Sequence, residues 1–187
     1  MAASVACASS PGAEAPGERG TADTAHDEEG ADAERTLLEL RDTPSFQAAA
    51  DRMEACLEAA GFAKDGDTRI LKDGTRFGPA ELMRDGFQMT HAVAEYFSAN
   101  ERCEEESGLA AVRRAAGVAN EPLDPGFVRR ANAHSVAKAA CLEDRGWKFH
   151  DPVSHRGIIQ YFPDLQPGDQ DAYDLDEAEC RAETTIP

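Results

Sequence analysis

The block Cys56-Leu57-Glu58-Ala59-Ala60-Gly61-Phe62 returns later in the chain as Cys141-Leu142-Glu143-Asp144-Arg145-Gly146-Trp147. Each copy closes an alanine-rich stretch of helical periodicity and is followed by predicted strands. A helix comes next, carrying a tyrosine seven residues before a cysteine: Tyr96 with Cys103, and Tyr173 with Cys180. Two ordered motifs recurring in the same order imply an internal duplication. Glycine takes the left-handed conformation just past a helix end without a Cβ penalty, so each block predicts a Schellman turn. In such a turn the residue after glycine packs back on the one five positions before it. That pairs Leu57 with Phe62 and Leu142 with Trp147.

The cysteines follow the same plan. Setting Cys7 aside leaves four, one at each end of each repeat, and four cysteines allow three pairings. A unit that closes on itself selects Cys56–Cys103 and Cys141–Cys180. Loops of this length contribute roughly 4 kcal/mol each on the chain-entropy model. Free buried cysteines of a cytosolic protein are the alternative. A zinc site is disfavoured because no two cysteines stand at a short ligand spacing.

Periodicity begins at Leu37, where Leu37, Leu38 and Leu40 suggest a short helix or cap. Thr43-Pro44 then supplies an N-cap with proline at the first helical position. Phe46, Ala49, Ala50, Met53, Cys56, Leu57 and Ala60 line one face of the following helix. Thr68–Leu71 and Thr75–Phe77 flank Lys72-Asp73-Gly74 as a hairpin. Gly78-Pro79 opens a helical region bent near Gly86, with a stripe of Met89, Val93, Tyr96, Asn100 and Cys103. A short helix runs from about Leu109 to Ala116. Asp124-Pro125 caps a long helix reaching about Arg145. Strands are expected at 147–149 and 157–162, a loop at 164–171, and a very acidic helix at about 172–184.

These readings give an α+β fold of two pseudo-symmetric helix–hairpin–helix repeats, at about 43–107 and 124–184, within a single duplicated domain at 36–187. A small, mostly antiparallel sheet is packed by helices. One sheet joined across both repeats and two separate hairpins both fit the pattern. With 187 residues, 41% hydrophobic and only 6% aromatic, the core is lean, which is where cross-links are most useful.

A net charge of −17 disfavours nucleic acid and anionic membrane surfaces, both of which need a cationic face. No apolar run reaches the length of a spanning helix. Residues 8–35 carry eight acidic and two basic side chains and no large apolar one, and are expected to be a disordered acidic tether. Before it, Ser4-Val5-Ala6-Cys7 followed by Ala-Ser-Ser-Pro-Gly resembles the end of a bacterial lipoprotein signal, with Cys7 as the lipidation candidate. The usual leucine three positions before the cysteine is serine here. Residues 1–7 are accordingly read as the remnant of such a signal, its basic and apolar parts expected upstream of Met1.

The repeated Cys-Leu-Glu-x-x-Gly-aromatic block after an alanine-rich helix resembles that of small secreted or lipid-anchored actinobacterial proteins of unknown function. The resemblance covers residues 36–187 in pattern. It implies an extracellular or cell-envelope location and brings no activity and no catalytic residues.

No constellation in the sequence compels a chemistry. His150, Asp151 and His155, two imidazoles and a carboxylate in one loop, are the nearest approach to a metal site, but their spacing is not that of a helical His-Glu-x-x-His motif and no third ligand is evident. No metal or cofactor is expected. Asp169, Asp171, Asp174, Asp176, Glu177 and Glu179 lack the glycine of a calcium loop and read as a solvated helix face. Asp65 and Asp67, around Gly66, read as turn residues. His91 and His134 read as mid-helix structure. Nucleophile elbows and phosphate-cradling loops are absent from the sequence. Phe62, Phe77, Tyr96, Phe97, Trp147, Phe149, Tyr161 and Phe162 either pack the core or line a groove between the repeats. The expected function is a non-enzymatic binding or interaction module, secreted or tethered at the envelope, with an unidentified envelope or extracellular ligand. The alternative is an extracellular hydrolase or metal-dependent enzyme using His150 and His155.

Overall fold

A computed structural model of the chain describes residues 35–85, 87–119 and 121–184. Cys7 and the tether up to residue 34 lie outside the described residues, as does Gly86.

Helix α1 (35–41) begins at Arg35, the last residue assigned above to the tether. Helix α2 (Pro44–Ala59) starts where its cap predicts, the Thr43 hydroxyl accepting from the Phe46 N–H at 3.3 Å. Past Gly61 the chain forms an antiparallel meander, β1 (Ala63–Asp65), β2 (Thr68–Ile70) and β3 (Arg76–Phe77). The β2–β3 hairpin is the expected one, its turn closed by the Thr75 N–H donating to Asp73 Oδ1 at 2.9 Å. Strand β1 was not expected. Its residues are all exposed and show no apolar alternation, so only pairing with β2 makes them a strand. Asp65 therefore belongs to a strand rather than a turn.

The short helix α3 (Pro79–Leu82) precedes α4 (His91–Glu106). The apolar stripe read from Met89 starts too early. Thr90 is the N-cap of α4, its hydroxyl accepting from the Val93 N–H, so Met89 stands before the helix and His91 is its first residue. Helix α5 (Leu109–Ala115) follows the left-handed Gly108. Helix α6 (Pro125–Asp144) is capped by Asp124, whose Oδ1 accepts from the Phe127 N–H at 2.7 Å. His134 lies inside α6, as expected.

The second hairpin departs from expectation. Residues 147–149 contribute a single bridge, Phe149 with Pro163, extended by the His150 N–H to Phe162 O (3.0 Å) and the Asp164 N–H to Lys148 O (2.8 Å). The strands proper are β4 (Val153–His155), between the two stretches expected as strands, and β5 (Ile158–Gln160). Pro152 has no N–H to donate, and the ladder resumes beyond it. Arg156 and Gly157 form the two-residue turn with φ of 51° and 78°, the left-handed pair that a tight hairpin requires. Helix α7 (Gln170–Glu183) completes the chain.

The fold is α+β, with antiparallel strands in two separate small sheets rather than one joined sheet. Both disulfides form as paired above, Cys56–Cys103 and Cys141–Cys180, with Cα separations of 5.6 and 5.8 Å. They fit an oxidising environment. Among the described residues no helix is long and apolar enough to cross a membrane.

The two blocks end their helices with the same bonds. The Phe62 and Trp147 N–H groups donate to Leu57 O and Leu142 O, at 2.9 and 3.1 Å, while Gly61 and Gly146 donate to Glu58 O and Glu143 O. Both glycines are left-handed, at φ 92° and 96°. Leu57 and Phe62 join Leu71, Phe77, Val93 and Cys103 in one core cluster. Leu142, Tyr173 and Cys180 form a second, flanked by Trp147 and Phe149.

Candidate functional site

This packing leaves open clefts among the described residues, three of them lined by the side chains named here. The largest of these three, of about 490 Å³, lies between the first sheet and α4. Phe77, Leu82, Tyr96 and Phe97 supply its apolar walls, and Thr68, Arg69 and Asn100 its polar ones. Its size falls in the range of small-molecule sites, with the usual composition of apolar walls and few polar groups. Gly78 makes part of this wall. A Cβ there would stand 2.9 Å from the Thr68 methyl and 3.2 Å from Asp67 O, so the close approach of the chain needs glycine.

Arg69 is the best-determined polar group of the cleft. Its Nη2 donates to both oxygens of Glu54 at 2.5 Å, and its side chain is only 11% exposed. Burial alone would lower the guanidinium's pKa, but Glu54 and, less strongly, Tyr96 outweigh it and hold the group above its ordinary value. Nη1 is buried and has no acceptor among the described residues. A buried guanidinium nitrogen without a partner costs desolvation, and an entering acceptor that reached it would recover that cost. Sequence reasoning missed Arg69, because its ion pair with Glu54 and its burial are tertiary and leave no local pattern.

A second cleft, of about 320 Å³, opens between α6 and β5. Phe149, Tyr161 and Phe162 reach it, together with Met89 from the segment before α4. The aromatic set thus divides. Phe62, Phe77, Tyr96 and Phe97 pack edge to face around the first core, with ring centroids 5.6–5.8 Å apart, and Trp147 packs on Tyr173 at 5.3 Å. The remaining three open onto the second cleft.

The third cleft, of about 220 Å³, lies where β4 meets α4, lined by Lys72, Glu95, Arg102 and Val153 among others. His150 and His155 flank this seam but do not face one site. The His150 ring stacks on His91 at 4.6 Å, and His91 Nε2 bonds Asp151 O at 3.2 Å. His155 instead tilts against Phe97, with its buried Nδ1 3.5 Å from Glu101 Oε2. The Asp151 contact to His91 is through its backbone oxygen, not its carboxylate. Among the described residues no three His, Cys, Asp or Glu side chains converge to hold a metal ion.

The acidic segment of α7 is more than a solvated face. Arg145 reaches Asp176 (2.9 Å), Glu179 (2.6 Å) and Glu183 (3.0 Å), and Lys138 reaches Glu177 (2.7 Å). The Trp147 indole N–H donates to Asp176 Oδ2 at 2.8 Å. Hydrogen bonds from Trp147 and then Arg145 hold the Asp176 carboxyl below its ordinary value. For Glu177, burial works upward, but Lys138 and Arg181 outweigh it and the value is lowered. Tyr173, beneath this row, is pushed up to about 12 by burial first and by Glu177 and Asp174 second. The spacing 176, 179, 183 places the three carboxylates on one helix face. Asp169 serves the loop instead, accepting from the Gln166 N–H at 3.0 Å.

Comparison of the chain with protein-family models, with curated proteins and with solved structures finds no match. A functional reading therefore rests on the geometry above.

Proposed function

We propose that this chain is a non-enzymatic binding module of the cell envelope or extracellular space, built from two copies of one cross-linked unit. In this reading the acidic N-terminal segment is its tether and Cys7 its lipidation site, in keeping with the resemblance to secreted or lipid-anchored actinobacterial proteins. The duplication is supported by the matched Schellman bonds, the matched disulfides and the matched tyrosine–aromatic pairs, Tyr96 with Phe62 and Tyr173 with Trp147.

The observation that carries the binding reading is the 490 Å³ cleft with aromatic walls and the unmatched Arg69 Nη1. Its ligand is a small, largely apolar molecule presenting an uncharged acceptor such as a carbonyl. An acceptor is needed for Nη1. An uncharged one is favoured because Glu54 already stands within 4.0 Å of both Arg69 and Lys64, within a chain of net charge −17. The cationic groups lining the clefts are engaged in the same way: Lys72 with Glu95 and Lys138 with Glu177, at 2.8 and 2.7 Å. Charges pinned in pairs hold a fixed surface and are poorly placed to shuttle protons. The competing reading, a hydrolase or metal-dependent enzyme using His150 and His155, has less in its favour, since different partners hold the two imidazoles.

The test is an NMR titration of the full disulfide-bonded chain with three probes that share one body: benzylacetone, butylbenzene and hydrocinnamate. The ketone should shift resonances of Thr68, Arg69, Tyr96 and Asn100. It should bind roughly tenfold more tightly than the hydrocarbon, as expected for one hydrogen bond to a charged group. No localised shift from any probe at millimolar concentration would refute the binding reading. Broadening of His150 and His155 by added zinc would favour the enzyme instead.

A further inference from the structure

Each disulfide joins one partly buried cysteine to one fully buried one. Cys103 and Cys180 are 0% exposed, whereas Cys56 and Cys141 stand partly open. Beside the sulfur of each partly buried cysteine lies a carboxylate: Glu106 Oε2 is 3.5 Å from Cys56 Sγ, and Glu183 Oε2 is 3.6 Å from Cys141 Sγ. Both glutamates follow the partner cysteine by three residues, which on a helix places them one turn on and over the bridge. The same contact built twice, from different surrounding sequence, is not an accident of one surface side chain.

We infer that Glu106 and Glu183 shield the two disulfides from reduction by anionic thiols. Exchange requires a solvent thiolate to bond to Cys56 Sγ while the Cys56–Cys103 bond breaks and its electron pair departs on Cys103. A second thiolate then displaces Cys56 from the mixed disulfide, releasing the oxidised reagent, and the two protein thiolates take protons from water. The reductant is a low-molecular-weight thiol of the glutathione class, itself anionic. The carboxylate raises the energy of the incoming negative charge. Cys103 would also have to leave as a thiolate into the cluster of Leu57, Phe62 and Val93, where burial disfavours charge. The same steps apply at Cys141 and Cys180, beside Leu142 and Tyr173.

Neighbouring cations moderate the shield unequally. Arg102 Nε stands 3.8 Å from the other oxygen of Glu106, but Arg145 Nη2 is 3.0 Å from that of Glu183. Glu106 is therefore the stronger guard. One charge at about 4 Å in a water-like medium changes such a rate by roughly threefold to fivefold.

The experiment compares the oxidised full chain with Glu106→Gln and Glu183→Gln. Both side chains are more than 60% exposed (61% and 62%), so folding should be unaffected. Reduction is followed by alkylation and mass spectrometry with mercaptoethanesulfonate, mercaptoethanol and cysteamine at low salt. Taking the variant-to-parent rate ratio for each reagent cancels its intrinsic reactivity. Glu106→Gln should accelerate loss of Cys56–Cys103 roughly threefold to fivefold with the sulfonate, less with mercaptoethanol and not with cysteamine. Glu183→Gln should act in the same order at Cys141–Cys180, more weakly, and molar salt should abolish both effects. Equal acceleration by all three reagents would mean local loosening, and no acceleration would mean no shield. Either result overturns the inference.

Discussion

Replacing Gly146 isolates the contribution of backbone conformation to this fold. Its φ is 96°, and nothing lies within 4 Å of where a Cβ would stand, so a new side chain meets no atoms and the whole cost is conformational. Holding an L-residue in the left-handed region costs roughly 1–2 kcal/mol. Gly146→Ala should therefore lower the free energy of unfolding by about that amount. Asparagine should be milder, because its side chain tolerates this region, and valine harsher, because β-branching does not. Gly61, at φ 92° with only Lys72 Cγ at 3.9 Å, should give the same ranking in the first half. Gly78 supplies the contrast. It is extended at φ −158°, so any residue suits its backbone, but a Cβ would strike the Thr68 methyl. Gly78→Ala should thus be partly rescued by Thr68→Ser, which could do nothing for Gly146→Ala. Urea unfolding at 25 °C with both disulfides intact measures all of these. If Gly146→Ala left the midpoint unchanged, or if alanine, asparagine and valine were equivalent, the Schellman turn would not be what holds this corner.

Further outcomes follow from the same geometry. Replacing Cys141 and Cys180 together by alanine should cost up to roughly 4 kcal/mol on the chain-entropy model, and the Cys56–Cys103 pair about the same; calorimetry of each double variant measures it. Tyr173 has a folded pKa raised to about 12, so the stability it confers is complete below the unfolded value near 10 and lost as pH rises through 12. Tyr173→Phe should remove that alkaline loss, as read from urea midpoints between about pH 9 and pH 12. Asp176 and Glu177 have lowered values, so their contribution is present above the ordinary carboxylate range near 4 and lost as pH falls below it. Asp176→Asn should flatten the acid limb of the same titration, and an unchanged limb would count against the α6–α7 clamp.

What the sequence made legible was whatever depended on local chemistry. Thr43, Asp124, Gly61 and Gly146 act within a few residues of themselves, and each does what its residue type dictates. The disulfides were legible for a different reason: the two matched sequence blocks converted a three-way ambiguity into one answer. The failures share a cause too. Strand β1 is polar and exposed, so its pairing with β2 leaves no apolar signature. Strand β4 was hidden behind Pro152, in a stretch whose histidines invited a metal reading while its Val153 was the buried residue. Met89 carries the right residue type at the right spacing, but Thr90 ends the helix before it. The ligand-side feature of the largest cleft, the unmatched Arg69 nitrogen, depends on burial by residues as distant as Tyr96, and no local pattern reports it.

The matched locks do not make the two halves interchangeable. In the first half the sheet stays with its own helices, Phe77 packing on Tyr96 and Phe97 of α4. In the second half β4 reaches across instead and lies on that same α4. The Arg156 N–H donates to Glu101 Oε2 at 2.7 Å, and the Arg156 guanidinium donates to Glu121 O at 2.6 Å. Arg156 holds a left-handed φ of 51° in the hairpin turn, at a free-energy cost that these contacts help to offset. Helix α4 therefore serves both sheets, Phe97 touching Phe77 of one and His155 of the other, whereas α7 is clamped to α6 by its acidic row and leaves Leu175 exposed. Two similarly locked halves can share a helix in this way only if one of them gives up its own packing partner. The third cleft, where β4 meets α4, is a product of that asymmetry and could not exist in either half alone.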